Sequence, residues 1–218
     1  MILTAQQIEE VYRKGDILID PFDEKQIQGA TYDLRVGEHG ATTTSKKIVN
    51  IKDNGYLPVE PGDIGLIEVL ETIRLGPQYV GRFGLRSKYA RKGLVATTGA
   101  QIDPGYNGRL IVGIINLTPR LISMPYKDDF LSVEFHQLEQ PTTRPYDGSY
   151  QNKMGLGPED IEFVTEQEGV ALSETLTTLR ALSQNVATLA SEVKMLKWAV
   201  PLIVVFGITV IAVIVAIK

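Results

Sequence analysis

The chain contains no cysteine and only two histidines, His39 and His136. A disulfide framework, a thiolate metal site and a zinc site of the Cys/His type are therefore excluded. A strong charge of one sign is also missing: the formal net charge of −4 over 218 residues gives no general attraction to nucleic acid. The opening residues, MILTAQQIEE, lack a basic stretch and an apolar run, so no cleavable signal peptide is expected. What the chain does hold is 44% hydrophobic residues, enough for a real core but unevenly placed. The length suits one domain plus appendages, or two small domains.

The most apolar text lies at the C-terminal end. Residues 198–217, WAVPLIVVFGITVIAVIVAI, carry no charge, and about twenty helical residues span the roughly 30 Å of a bilayer core. Trp198 takes the place of an interfacial aromatic, Lys194 and Lys197 precede it, and only Lys218 follows. The expectation is a transmembrane tail anchor over 198–218, with the head on the cytoplasmic side of the membrane. Pro201 falls in its first turn, where it costs a helix least. The other reading, a buried helix of a soluble core, runs against the absence of charge all round. Ahead of this stretch, Leu179, Leu182, Val186, Leu189, Val193, Leu196 and Val200 repeat at 3-4 spacing. This is a heptad seam, with Glu192 at g and Lys197 at the following e placed to pair between parallel helices. A helical stalk, a coiled coil, is expected over 171–197; an amphipathic helix packed on its own domain is the alternative. Val at a with Leu at d favours two strands.

The rest reads as a folded head. Thr4 and Gln7 make a capping box, Leu3 can staple onto Ile8, and Gly15 ends the helix. From there to about residue 140 come short β-rich runs broken by Gly, Pro, Asp and Asn: DILID, TYDLRVG, GLIEVLETIRL, YVGRFGL, RLIVGIIN and FLSVEFHQL. That is the pattern of an all-β sandwich or barrel. Residues 140–160 are rich in Pro, Gly and polar side chains and read as a tail or linker. Within residues 81–93, GRFGLRSKYARKG, Arg82, Arg86, Lys88, Arg91 and Lys92 cluster around Ser87. Guanidinium forks and a hydroxyl are what a polyphosphate needs; a solvated basic face is the other reading. In GAQIDPGYNGR, a tight turn can hold Asp103 and Tyr106 on one hairpin face. A carboxylate there can orient water or bind a sugar hydroxyl, and a ring can stack; an ordinary Asx turn is the alternative. Finally, Gly113 interrupts the apolar strand RLIVGIIN, and glycine inside a strand marks a bulge or a close approach.

Together the segments MILTAQQIEE, IDPFDEKQIQGATYDLRVG, VEPGDIGLIEVLETIRLGPQYVGRFGLRSKYARKGL, QIDPGYNGRLIVGIINL, VEFHQLEQP and RPYDGSYQNKMG resemble, in order and spacing, the dCTP deaminase and dUTPase superfamily. The dCTP deaminase branch is the most similar. The resemblance covers roughly residues 1–155 and implies a mainly β fold: a dUTPase-like β-barrel or jelly-roll head with an N-terminal helix, here followed by a long C-terminal helix. The expected division is a nucleotide-binding head at 1–155, a linker at 156–170, the stalk at 171–197 and the anchor at 198–218. The resemblance also implies a homotrimer that binds a deoxynucleoside triphosphate, dCTP or dUTP, between subunits, with Mg²⁺ on the triphosphate. By position, Arg86, Ser87 and Arg91 resemble the phosphate-binding residues, and Asp103 the aspartate that activates water in dUTPases. Tyr106 sits on the hairpin that meets the deoxyribose, and Tyr146 and Tyr150 match positions that close over the nucleotide.

The departures from the family carry the functional expectation. Gly113 stands where dCTP deaminases have the glutamate that shuttles protons, and such assistance contributes ~10²–10⁴-fold. Lys153 replaces a triphosphate-contacting Gln, Lys88 ends the Gly-Arg-Ser-Ser pattern, and Leu131 and Ser132 replace a Gly-Gln pair. Lys88 and Lys153 add positive charge for phosphates. The expectation is a membrane-anchored protein that binds a deoxynucleoside triphosphate, has lost deaminase activity and supplies no metal ligands of its own. The alternatives are a dUTPase-type hydrolase releasing pyrophosphate through Asp103, an active dCTP deaminase with a relocated base such as Glu134, and a structural trimeric scaffold.

Overall fold

The computed structural model describes residues 1–167 and 172–217, side chains at 172–174, 176, 209, 210 and 212–217 excepted. The chain forms two units, 1–173 and 174–218.

In the first unit, helix α1 (Ala5–Lys14) starts where the cap predicts. The Thr4 hydroxyl accepts from the Gln7 N–H, and the Gln7 side chain accepts from the Thr4 N–H at 2.9 Å. Gly15 closes the helix in the left-handed region at φ 80°. Leu3, Ile8 and Val11 bury its inner face. The strands are β1 (Ile17–Asp20), β2 (Tyr32–Thr42), β3 (Val49–Asn50), β4 (Tyr56–Val59), β5 (Ile64–Leu75), β6 (Tyr79–Leu85), β7 (Leu94–Ala96), β8 (Gln101–Ile102), β9 (Asn107–Asn116), β10 (Ile122–Pro125) and β11 (Asp129–Gln137). Helices α2 (Ile51–Asn54), α3 (Ser87–Ala90) and α4 (Pro158–Glu166) complete the unit. Residues 158–166, inside the segment read as linker, are therefore helical.

The main sheet runs β7-β9-β5-β2-β11-β6-β8, with β1 on β5 and β3 on β2, while β4 and β10 pair separately. It curls because β2 changes partners along its length. Tyr32–Arg35 pair with β11, and Val36–Thr42 with β5. Alternate residues then point inward: Tyr32, Leu34 and Val36 from β2, Ile67, Val69 and Ile73 from β5, Val112 and Ile114 from β9, and Val133 and Phe135 from β11 are all fully buried. The head is mainly β, a curled sheet with an N-terminal helix, as expected.

A charged pair also lies inside. Glu71 on β5 is fully buried, and its carboxylate accepts from Arg35 Nε at 2.6 Å and from the Arg35 backbone N–H at 3.0 Å. Burial outweighs the guanidinium and holds the Glu71 carboxyl above the usual carboxylate range.

Helix α5 runs from Leu172 to Ile217, and from residue 174 on it makes up the second unit. Leu179, Leu182, Val186, Leu189, Val193, Leu196 and Val200 are each 50–58% exposed along it. The expected membrane anchor is corrected here: among the described residues no helix is long and apolar enough to cross a membrane. Of the expected span, Trp198–Ile208 and Ile211 have described side chains. The rest, 209, 210 and 212–218, lies outside the described side chains. The assignment of the chain to a membrane, with its head on the cytoplasmic side, falls with it. Pro201 lies inside α5 and not in a first turn.

Replacing Arg35 with Met leaves the Glu71 carboxylate buried without its partner. The unfolding free energy, read by urea denaturation, should fall by about 3–5 kcal/mol. Burial then holds the folded carboxyl further above its unfolded value. Stability of the variant is accordingly lost as pH rises through the folded pKa, and the deficit shrinks toward the ordinary carboxylate range. A deficit that stays constant from about pH 4 to 8 would contradict the pairing.

Candidate functional site

The site is built on the turn between β8 and β9. Within it the Asp103 carbonyl accepts from the Tyr106 N–H at 3.1 Å. Gly105 has φ +85° and Pro145 presses against the place a Cβ would occupy, so only glycine serves. Tyr106 is buried, and its hydroxyl donates to the Arg109 carbonyl at 3.0 Å. Burial raises its pKa, which keeps the phenol neutral. Over this turn the tail is strapped by a series of hydrogen bonds. The Tyr146 N–H donates to the Pro104 carbonyl at 2.8 Å, the Asn152 N–H to the Asn107 carbonyl at 2.7 Å, and the Arg109 N–H to the Lys153 carbonyl at 2.8 Å. Gln151 locks the strap: its Nε2 donates to Gly105 O at 2.9 Å, and its Oε1 accepts from the Asn107 N–H at 2.8 Å. The Tyr106 and Tyr146 rings meet at 5.7 Å between centroids, tilted by 59°.

This arrangement encloses a cavity of about 620 Å³. Asp103, Tyr106, Gly113, Tyr146 and Tyr150 all line it, so five positions singled out from the sequence come together. Asp103 accepts from Gln101 Nε2. Asp103 and Tyr146 also line a neighbouring cavity of about 610 Å³ whose wall includes Arg144, a cation that the sequence pattern did not single out.

Gly113 answers the question its strand raised. It pairs with Leu66 of β5 in a regular stretch of register, so there is no bulge. The segment Thr97–Thr98 crosses directly over it. The Gly113 N–H donates to Thr98 Oγ1, the Thr97 N–H donates to the Gly113 carbonyl at 2.8 Å, and a Cβ at Gly113 would run into Thr97 Oγ1. Two hydroxyls fill the volume that a side chain at 113 would need. Nothing in the local text links residues fifteen positions apart, and this is why Thr97 and Thr98 were missed.

The other candidate residues stand elsewhere. Arg86, Ser87 and Arg91, at and beside α3, do not line the cavity. The Arg86 guanidinium pairs with buried Asp33 and lies 3.8 Å from Asp129; Ser87 and Arg91 are exposed. Both lysines expected to add positive charge are already partnered within the chain. Lys88 Nζ sits 2.5 Å from Asp128 Oδ1. Lys153 Nζ lies 2.8 Å from Glu159 and 2.7 Å from Asp160. Burial disfavours the Lys153 charge, but these two carboxylates outweigh it and raise its pKa. Glu134, on β11, contacts His136 at 3.0 Å and does not line the cavity. Leu131 is buried in the core, and Ser132 donates to Asp33.

Comparison with known proteins agrees with this architecture. The dCTP deaminase-like family profile matches residues 2–125. The chain belongs to the dCTP deaminase-like family. A dCTP deaminase from Thermococcus sibiricus is 38% identical over 156 residues, covering 72% of this chain and 95% of that protein. A dCTP deaminase from Thermococcus kodakarensis is 38% identical over 143 residues, covering 66% of this chain and 90% of that one. Among solved structures, the 2'-deoxycytidine 5'-triphosphate deaminase from Agrobacterium tumefaciens superimposes with a TM-score of 0.53 at 18% identity. It covers 62% of this chain, which spans about half, 47%, of that structure. At that identity the likeness speaks for the fold.

In this family member, Gly113→Ala should lower stability by about 1–3 kcal/mol, since a methyl must displace a β-branched side chain. Thr97→Ala should be nearly neutral alone and should recover most of that loss when combined with it, as read by thermal denaturation in a double-mutant cycle. Equal losses in both backgrounds would show that Thr97 is not the obstruction.

Proposed function

We propose that the head binds a deoxynucleoside triphosphate without deaminating it. The observation that carries this reading is the filled space above Gly113. Where dCTP deaminases are expected to place a glutamate, this chain has the Thr97 and Thr98 hydroxyls, which do not take up protons near neutral pH. Glu134, the relocated base considered from the sequence, lies on β11 away from the cavity. The names of the two Thermococcus relatives support the substrate class, and the cavity supplies its other requirements. Tyr106, Tyr146 and Tyr150 offer faces for sugar and base, and Asp103 an acceptor for a sugar hydroxyl.

The phosphate contacts are proposed to come from another copy of the chain. Arg86, Ser87 and Arg91 stand off from their own cavity, so a homotrimer with sites between copies would bring them to a neighbour's. The exposed heptad seam of α5 is then the surface on which three helices meet, a coiled-coil stalk. Mg²⁺ would enter with the triphosphate. Among the described residues no group of three or more His, Asp or Glu could hold a metal; Asp103 is the carboxylate on the turn that lines the cavity and would meet such an ion. When bound, the ion supplies charge neutralisation on the phosphates. A second reading, hydrolysis of the triphosphate with water oriented by Asp103, is favoured by the position of that carboxylate beside Tyr106.

One assay separates these readings: incubate the full chain with each deoxynucleoside triphosphate and Mg²⁺, then separate the products. Intact nucleotide with saturable binding is expected. Deaminated base overturns the proposal, and pyrophosphate release lost in Asp103→Asn establishes the second reading. Arg86→Ala should weaken triphosphate binding about tenfold or more, the loss of one charge-assisted contact, with little effect on a monophosphate. Sedimentation should give a mass of three subunits, and a mass of two would overturn the trimer.

A further inference from the structure

Helix α4 contributes a wall of the cavity that the functional reading above does not use. Glu159, Asp160 and Phe163 line the cavity alongside Asp103 and Tyr150. The opposite side of the helix is held by a small apolar cluster, separate from the main core: Val164 is fully buried against Ala41 and Leu66, with Leu156, Ile161 and Ile111 around them. Leu66 is the cross-strand partner of Gly113, so α4 packs on the same strand pair that carries the site. The first turn of the helix is fastened by charge. Asp160 accepts from the Gly157 N–H at 2.7 Å, and Glu159 and Asp160 share the Lys153 ammonium at 2.8 and 2.7 Å. Lys153, at the end of the strap, does not itself line the cavity, but both of its carboxylate partners do. Between the strap and the helix lies Met-Gly-Leu-Gly, and there the Leu156 N–H reaches buried Glu68 at 3.4 Å. The two glycines flanking Leu156 give this connection backbone freedom.

We propose that α4 is an autoinhibitory competitor for the polyphosphate: Glu159 and Asp160 hold Lys153 while the cavity is free of ligand, and an incoming triphosphate takes the ammonium and releases α4 from the cavity wall. The proposal rests on the nucleotide-binding reading and adds the regulation of that site. Chemically it is an exchange of one anionic partner for another on a single cation. Two carboxylates share a single ammonium, so the wall keeps a residual negative charge that repels a polyphosphate until α4 leaves it. The anchoring cluster is small and the ionic latch partly exposed, so α4 belongs to the less stable end of the unit.

The test uses the full chain, the α,β-imido analogues of dCTP and dUTP with Mg²⁺, and backbone hydrogen exchange of residues 157–166. In the unmodified protein, analogue binding should speed exchange across α4. Glu159→Gln, at an exposed side chain, and the double variant Glu159→Gln/Asp160→Asn should bind the analogues more tightly, the double variant about tenfold or more. Because Asp160→Asn also weakens the helix cap, the single variant guards against a folding effect. Lys153→Met should speed α4 exchange without ligand and weaken analogue binding. Analogue binding with α4 exchange unchanged or slowed, and with affinity unmoved in both acidic variants, overturns the latch and leaves the binding reading standing. No analogue binding in any of these proteins overturns both.

Discussion

The antiparallel ladder between β5 and β9 is the constraint on which the site depends. It runs from Ile64 opposite Ile115 to Arg74 opposite Asn107, with one shift in register between Glu68 and Thr72. Because side chains alternate along a strand, the ladder sends Val112 and Ile114 into the core and leaves Gly113 and Ile111 on the other face. It places the Asp103–Gly108 turn at one end of β9 and the glycine gap in its middle. The strap of residues 146–153 then bonds to the turn, and α4 packs against Leu66. Moving β9 by one residue against β5 would exchange the two faces and abolish all of these at once.

Electrostatics divides the molecule in a way that composition does not show. Three of the positive side chains in the basic stretch and its tail counterpart have carboxylates of their own: Arg86 with Asp33, Lys88 with Asp128, Lys153 with Glu159 and Asp160. A net charge of −4 is thus distributed as local pairs, and a polyphosphate arriving at any of these cations must displace an anion already there. A cation with a standing partner offers selectivity for a multiply charged ligand over a singly charged one, since only the former competes with a carboxylate held at 2.7 Å.

Much of the fold was legible from local chemistry. The Thr4 and Gln7 cap and Gly15 bounded α1 because capping depends on residues three or four apart. The long strands showed their alternation, whereas β3 and β8, two residues each, are too short to carry a period. Asp103 and Tyr106 were legible because one turn holds them, and Tyr146 and Tyr150 only through family resemblance. The C-terminal text was read as an anchor from twenty uncharged residues, but among the described residues no helix is long and apolar enough to cross a membrane.

By itself the sequence determined six of the strands, the first helix, the turn at Asp103 and the missing side chain at 113, since each is written in neighbouring residues through backbone preference and periodicity. Only the tertiary structure decided what fills the gap at Gly113, which carboxylates hold Lys153 and that Arg86 pairs with Asp33 and does not line its own cavity. The contacts at Gly113 and at Arg86 join residues well apart in the chain, and each exists only once the fold has brought the elements that carry them together.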